Sequence, residues 1–145
     1  MIKNTKLFIS ILFLTILQAS ILTAADMPIQ ANQLPKKAQD FISANFANDN
    51  IVYAEQDRNS FKAELQSGIE IDFDRNGDWT DVTSERTPLP INFIPANIIN
   101  PVQAKYPQVP VLEISKEYNS YKLKLGNNRE VYVNNNGQIV GDKLD

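Results

Sequence analysis

Apolar residues in the first half of the chain change their spacing once, from that of a helix to that of strands. Ala38, Ile42 and Phe46 lie four residues apart with polar residues between them, which predicts an amphipathic helix beginning near Pro35. Further along, apolar and polar residues alternate, which is typical of strands with one buried face. Asn76-Gly77 predicts a tight hairpin turn before a last short strand. This half therefore predicts one helix followed by three or four strands.

The second half of the chain repeats this order at a fixed offset. Gly77 recurs as Gly137, so the offset is 137 − 77 = 60 residues, and no gap interrupts it. Self-similarity at a fixed period indicates a duplicated structural unit. We place the two repeats at about residues 34–82 and 94–142, joined by a linker over residues 83–93 whose prolines favour extended backbone.

The strands of each unit present one apolar face, which a single helix covers only in part. We therefore predict an α+β fold in which two duplicated α-β(3-4) units form one antiparallel sheet, with both helices packed on one face. Pro101 lies where the first unit has Phe41, and an interior proline removes a backbone hydrogen-bond donor. The helix over residues 95–105 is therefore predicted to be kinked or broken. Trp79 follows the first hairpin and is predicted to pack in the core beside Phe73.

The other face of the predicted sheet is open to solvent. Alternation places on it a mixed charged surface with two tyrosines, formed by Tyr53, Glu55, Lys62, Glu64, Glu70, Asp72, Lys122, Lys124 and Tyr132. Aromatic residues anchor many protein interfaces. We therefore predict that another envelope protein or a peptide binds here, through Tyr53, Lys62, Glu64, Glu70, Lys122, Lys124 and Tyr132.

The N-terminus has the features of an export signal. Two lysines precede an uncharged apolar stretch over residues 7–17, and small residues end at Ala25. We predict a signal peptide over residues 1–25, cleaved after Ala25, and a single periplasmic or secreted domain over residues 26–145. An uncleaved membrane anchor is the alternative, because the apolar character continues beyond the first stretch.

Composition excludes several classes of function. The chain has no histidine and no cysteine, which excludes a histidine base, a cysteine nucleophile and a zinc site of the usual ligands. Its net charge of −3 and its lack of a basic cluster argue against nucleic-acid binding. No motif for a cofactor is present, and none is predicted.

Two catalytic interpretations remain after this exclusion. Ser60 and Lys62 share a strand face, but the second unit repeats the pair and neither copy has an evident buried orienting partner. Glu64 and Glu70 are placed to face each other across a hairpin, as the carboxylates of a glycosidase do. Lys62 nearby favours ordinary charge pairing instead. We therefore predict a protein that is not an enzyme.

The turn after the third strand also resembles a calcium-binding loop. Asp72, Asp74, Asn76 and Asp78 supply oxygen atoms at alternate positions, and Gly77 stands at the sixth, as in an EF-hand. The twelfth position holds threonine instead of glutamate, and a strand precedes the loop where an EF-hand has a helix. A hairpin turn is therefore favoured. The alternative is a structural envelope protein with a weak calcium-binding loop over residues 72–78.

Taken together, the export signal, the two helices each introduced by Leu-Pro or Ile-Pro, and the Asn-Gly hairpins resemble the PepSY-like proteins grouped with the beta-lactamase-inhibitor-like fold. The resemblance covers essentially the whole mature chain and is most specific over residues 71–79, whereas residues 131–137 lack the aspartates. It implies a small, non-enzymatic exported domain that inhibits or modulates a periplasmic enzyme such as a peptidase. No inhibitory motif matches positions in this chain, so no inhibitory residue is assigned.

Overall fold

The computed structural model describes residues 26–145, so the predicted signal peptide over residues 1–25 lies outside the described residues. Nine strands within the described part join in chain order into one antiparallel sheet. The elements are β1 (Met27–Pro28), a short 3-10 helix (Ala31–Gln33), α1 (Lys36–Asn45), β2 (Ile51–Gln56), β3 (Ser60–Leu65), β4 (Ile69–Asp74), β5 (Trp79–Ser84), α2 (Ala96–Lys105), β6 (Val111–Lys116), β7 (Ser120–Leu125), β8 (Arg129–Asn134) and β9 (Ile139–Leu144). The predicted α+β class and single antiparallel sheet are confirmed.

The two halves of the described chain share their element boundaries. α1 begins at Lys36 and α2 at Ala96, an offset of 96 − 36 = 60 residues, and each strand from β2 to β5 has a counterpart from β6 to β9 at the same offset. The irregularities recur as well. A register shift interrupts the β2–β3 pairing at Val52 and the β6–β7 pairing at Leu112. β2 and its counterpart β6 therefore depart from strict alternation at the same place.

The hydrophobic core lies on one face of the sheet. Alternate residues of β3, β4, β7 and β8 are buried there, and the buried residues of both helices belong to the same cluster. Trp79 is 9% exposed and pairs with Phe73 across the β4–β5 hairpin, so the predicted core position of this tryptophan is confirmed. Its ring stacks on that of Phe41 in α1 and meets that of Phe93 edge-on, with centroids 6.2 and 5.4 Å away.

The second helix is continuous through Pro101, so of the two predicted forms, kinked or broken, the broken one is wrong. An interior proline costs about 3 kcal/mol. Ile98, Ile99 and Val102 are all buried in the core, and each such side chain contributes about 1.5–3 kcal/mol. Tertiary packing therefore outweighs the lost hydrogen bond, which local sequence preference alone does not show.

Each Asn-Gly hairpin packs against the start of the helix in its own half of the chain. Gly77 has φ +82°, and a Cβ atom there would lie 2.8 Å from the Cβ atom of Pro35. Gly137 has φ +83°, and a Cβ atom there would lie 2.6 Å from the backbone oxygen of Asn97. Both positions require glycine for its left-handed conformation and for its lack of a side chain. These contacts fix each helix against the end of the sheet.

Residues 26–145 contain no helix with the length and apolar character that crossing a bilayer demands.

Candidate functional site

Two rows of side chains cross the face of the sheet opposite the core, which we call the open face. Paired residues on neighbouring strands define both rows from β2 to β9. The first row consists of Tyr53, Glu64, Glu70, Thr83, Glu113, Lys124, Glu130 and Lys143. The second row consists of Glu55, Lys62, Asp72, Asp81, Ser115, Lys122, Tyr132 and Gly141. All but Ser115 are partly or fully exposed, so the open face is accessible to a partner.

The structure places all seven predicted binding residues on the open face, but it does not bring the two tyrosines together. Tyr53 lies on β2 and Tyr132 on β8, six strand spacings apart. At about 4.8 Å per spacing they are separated by roughly 29 Å across the sheet. A partner that contacts both tyrosines must therefore cover most of the face.

A glutamate on the same strand orients each tyrosine of the open face. The Tyr53 hydroxyl donates to Glu55 at 2.8 Å, and the Tyr132 hydroxyl donates to Glu130 at 3.0 Å. The hydrogen bond to Glu55 raises the pKa of Tyr53 above its ordinary value. Gly141 lies beneath the Tyr132 ring, since a Cβ atom at that position would stand 3.1 Å from the ring. Both rings are therefore held in place along the sheet.

The half of the open face formed by β2 to β5 is acidic. It carries five carboxylates and one lysine, Lys62. Glu64 lies directly opposite Glu70, and Asp72 lies directly opposite Asp81. Like charges in such positions destabilise a sheet. The Lys62 ammonium approaches Glu70 at 3.4 Å and Asp72 at 3.8 Å, so a single ammonium group interacts with two carboxylates.

The crowding of charge in this acidic half shifts two pKa values. Burial raises the pKa of Asp72, and the neighbouring carboxylates of Asp81 and Glu70 raise it further against the opposing effect of Lys62. Burial lowers the pKa of Lys62, but the carboxylates of Asp72 and Glu70 outweigh that effect, and its pKa is raised overall. The neighbouring carboxylates therefore contribute to raising both pKa values, in addition to the effects of burial.

The half formed by β6 to β9 pairs its charges and carries three lysines and two glutamates. Lys124 lies opposite Glu130, at the positions that correspond to the Glu64 and Glu70 pair. Lys122 binds Glu113 at 2.6 Å, and this hydrogen bond raises the pKa of Lys122. Glu130 also accepts from Lys143 at 2.9 Å, which lowers the pKa of Glu130. The open face therefore differs in charge between its two halves.

Four residues at the middle of the open face are absent from the sequence-based set, namely Asp81, Thr83, Glu113 and Ser115. Asp81 accepts hydrogen bonds from the hydroxyl of Thr83, at 2.8 Å, and from that of Ser115 on the neighbouring strand. Sequence alternation misses Asp81 and Thr83 because β5 shifts register beside Asp72. Trp79 and Val82 are both buried although they lie three positions apart, whereas alternation would place buried residues an even number of positions apart. That spacing is the sequence signal of the irregularity.

The candidate calcium loop is a hairpin turn held by its own side chains. One carboxylate oxygen of Asp74 accepts from the backbone N–H groups of Asn76, at 2.8 Å, and Asp78, at 3.0 Å. Burial opposes ionisation of Asp74, but these two donors lower its pKa overall. Asp78 binds Lys37 at 2.6 Å. Asn134 makes the same turn in the second half of the chain without a charge, so the turn does not require a carboxylate.

The candidate ligands and catalytic groups do not converge into one centre. Asp72 lies on the open face beside Lys62, apart from the turn that Asp74 and Asp78 form. Within residues 26–145, no group of three or more acidic side chains is placed to hold a metal ion. Ser60 lies opposite Asp74 at the end of its strand, and Lys62 is engaged by Glu70.

An antiparallel sheet with one buried face and one open, charged face defines a small α+β protein with a broad surface for contact. The chain belongs to the beta-lactamase-inhibitor-like, PepSY-like family, whose model matches residues 22–71 and again residues 59–141. The predicted family is therefore confirmed. Two matches within one chain are consistent with a tandem repeat. No curated protein is significantly similar to the chain.

Solved structures from Bacteroides share this fold. A candidate calcium-regulated periplasmic protein from Bacteroides thetaiotaomicron is 30% identical, with a TM-score of 0.77 over 81% of this chain and 96% of that one. A candidate periplasmic protein from Bacteroides vulgatus is 28% identical, with a TM-score of 0.78 over 83% and 98% of the two chains. A second one from that organism, of unknown function, is 25% identical, with a TM-score of 0.76 over 82% and 99%.

These relatives confirm the predicted periplasmic location of the chain. The family and its neighbours of unknown function favour a non-catalytic periplasmic protein.

Proposed function

We propose that this protein is a periplasmic binding domain whose open face engages another envelope protein or a peptide. The observation that carries the proposal is the pair of like-charge contacts in the acidic half, Glu64 with Glu70 and Asp72 with Asp81. Each costs stability in the free protein. A partner with cationic side chains relieves that repulsion on binding, which makes the acidic half the natural centre of the contact.

Inhibition or modulation of a periplasmic enzyme is the form of binding that the family favours. Its description as beta-lactamase-inhibitor-like supports a role in restraining an enzyme, and we propose a peptidase as the candidate. This step rests on likeness of fold, since no inhibitory loop is assigned in the chain. The open face is broad enough for a folded partner. Only a partner that spans the sheet can contact both Tyr53 and Tyr132.

We also propose that the two halves of the chain are copies of one ancestral unit, with both helices covering the same face of the sheet. The common offset of element boundaries and the shared core cluster support this. The duplication gives repeats at about residues 34–82 and 94–142, joined by a linker over residues 83–93. We propose that a signal peptide over residues 1–25 precedes them. Mass spectrometry of the exported protein tests the cleavage site after Ala25 directly.

A pull-down from envelope extract tests the open face. The tagged exported protein should retain a specific partner, and the double variant Tyr53→Ala with Tyr132→Ala should lose it. Tyr118→Ala is the matched control, because Tyr118 is 96% exposed and lies outside the two rows. Retention by the double variant equal to that of the control would show that the partner binds elsewhere.

Calcium binding is the second candidate function, and one observation favours it. The relative from Bacteroides thetaiotaomicron is described as calcium-regulated, and this chain has three aspartates within residues 72–78. We propose a weak site that uses Asp74 and Asp78, with Asn76 and Asp72 as further oxygen donors. The ion would have to compete with Lys37 for Asp78 and with backbone N–H groups for Asp74.

A calcium titration followed by thermal unfolding tests the second candidate. Calcium should raise the Tm of the wild-type protein by mass action. Asp74→Asn should abolish the rise and still form the turn, because Asn134 accepts the equivalent hydrogen bonds in the second half. Asn134→Asp is the converse control and should leave the response to calcium unchanged. A calcium-induced rise in Tm that persists in Asp74→Asn would exclude this loop as the calcium-binding site.

A further inference from the structure

The sheet has an incompletely covered edge at the start of β2. β1 pairs only with Glu55 and Gln56, and the N–H of Ile29 then donates to the carbonyl of Ala54 at 2.9 Å. Beyond that point the chain turns into the short 3-10 helix. Residues 51–53, which we call the β2 edge, therefore lack a neighbouring strand on their outer side.

The equivalent edge in the second half of the chain is covered. β5 pairs with β6 as far as Glu113, and the N–H of Leu89 in the linker donates to the carbonyl of Val111 at 2.9 Å. Leu89 is buried in the core. The linker thus acts as an extended segment laid against the start of β6, with an aliphatic side chain directed inward.

The difference in cover appears in the exposure of corresponding residues. Val111 is buried and Leu112 is partly buried, whereas Ile51 is partly buried and Val52 is 61% exposed. Tyr53 is likewise more exposed than its counterpart on β6. Three consecutive positions of β2 therefore expose surface that an extended chain segment covers in β6.

A groove beside the β2 edge shows the same difference. In the second half, the groove between α2 and the start of β6 has a volume of about 230 Å³ and is lined by Leu89 and Ile91 of the linker. In the first half, the corresponding groove has a volume of about 510 Å³, and Ala31 stands at the position equivalent to Ile91. Its wall includes Ile42 and Phe46, which correspond to Val102 and Tyr106 in the narrower groove, so it has room for an aliphatic side chain.

We propose that the β2 edge and its groove form a peptide-binding site. The ligand is an extended segment that adds to the sheet antiparallel to β2 and directs a branched aliphatic side chain into the groove. Main-chain hydrogen bonds to residues 51–53 supply affinity, and the groove selects the side chain, as in other cases of strand addition. The linker against β6 is the example within the same molecule, since the N–H of Leu89 donates to the carbonyl of Val111 and the side chains of Leu89 and Ile91 line the groove. The site shares only Tyr53 with the acidic half of the open face. A peptide site at this edge goes beyond the proposed function.

An NMR titration of the exported protein tests the site. The probe is a capped synthetic peptide with the sequence of residues 86–92, in which Leu89 and Ile91 supply the aliphatic side chains. We expect it to shift the backbone amide signals of residues 51–53. The same peptide with aspartate at both aliphatic positions should bind at least about tenfold more weakly. Absence of binding at millimolar peptide, or shifts confined to other surfaces, would overturn the proposal.

Two variants separate this site from the other sheet edge. Val52→Asp places a charge beside the groove and should weaken peptide binding by about tenfold or more. Val140→Asp is the matched control, since Val140 is also 61% exposed and lies on the edge strand β9. Equal peptide binding by the two variants would contradict the assignment of the binding site to the β2 edge. An unchanged amide spectrum away from β2 verifies that Val52→Asp is folded.

A third variant fills the groove from within the chain. Ala31→Ile copies the residue that the second half has at Ile91 and should reduce peptide binding while raising the Tm. Unreduced binding in Ala31→Ile would overturn the role of the groove. Amide shifts of residues 51–53 that depend on protein concentration without peptide would show that a second copy of the chain occupies the edge, which would overturn the assignment to a peptide.

Discussion

Glu64 and Glu70 lie directly opposite each other on β3 and β4, whereas their counterparts Lys124 and Glu130 form a pair of opposite charge on β7 and β8. The backbone register at the two places is the same. The first half of the chain therefore keeps a repulsive contact at a position where the second half shows an attractive alternative. This difference motivates the assignment of the acidic half to binding.

Reversal of the charge at residue 64 tests whether the contact between Glu64 and Glu70 lowers the stability of the folded protein. Glu64→Lys should raise the free energy of unfolding by about 0.2–1 kcal/mol, because it converts the repulsive pair into an attractive one. The effect should shrink in 1 M salt, since exposed charges are screened. Lys124→Glu is the reciprocal control and should lower stability. Urea unfolding at low and high salt measures both variants, and a loss of stability in Glu64→Lys would contradict the interpretation.

The sequence predicted the open-face residues of β3, β4 and β7, where alternation is unbroken, but it omitted Glu130 of β8. It missed Asp81 because an additional residue at Thr80 shifts the phase of β5, and side-chain periodicity alone does not locate such irregularities. The opposition of Asp72 and Asp81 depends on strand register, which forms only in the folded sheet. The break predicted at Pro101 failed for a related reason, since burial of its neighbours outweighs local preference.

The hairpin glycines should tolerate substitution unequally. Gly77→Ala should lower the free energy of unfolding by more than about 2 kcal/mol, because it combines strain at φ +82° with a contact 2.8 Å from the Cβ atom of Pro35. Gly68→Ala is the matched control, with φ +85° and no atom within 4 Å of the added Cβ. It should cost about 1 kcal/mol, from backbone strain alone. Equal losses in urea unfolding would show that the packing of the turn on α1 contributes little.

Trp79 should be the most costly aromatic residue to truncate in the first half. Trp79→Ala should destabilise the protein by about 3–5 kcal/mol, because the indole packs between Phe41 and Phe93 in the core. Ile139→Ala provides the comparison, since Ile139 occupies the corresponding position and is only partly buried. Its loss should be clearly smaller. Similar losses for the two variants, measured by urea unfolding, would contradict the central position of the tryptophan.

Asp142 should make stability depend on pH in acid. Its carboxylate accepts hydrogen bonds from Lys105 at 2.5 Å, from the Tyr106 hydroxyl and from Arg129 at 2.6 Å. These contacts lower its pKa from the ordinary 3.8 to about 2. The folded state therefore holds its proton less tightly than the unfolded state. The stabilisation is complete above about pH 4 and is lost as the pH falls through about 2.

Asp142→Asn isolates this contribution. At pH 7 it should lower the free energy of unfolding by about 1–3 kcal/mol, because Lys105 and Arg129 lose their shared anion. The difference from the wild-type protein should shrink between pH 4 and pH 2, since Asp142 itself becomes neutral there. Asp40→Asn removes the partner of Lys36 in an exposed pair and should cost no more than about 0.5 kcal/mol. Urea unfolding from pH 2 to pH 7 measures both variants. A difference for Asp142→Asn that stays constant over this range would mean that its side chain acts by shape and not by charge.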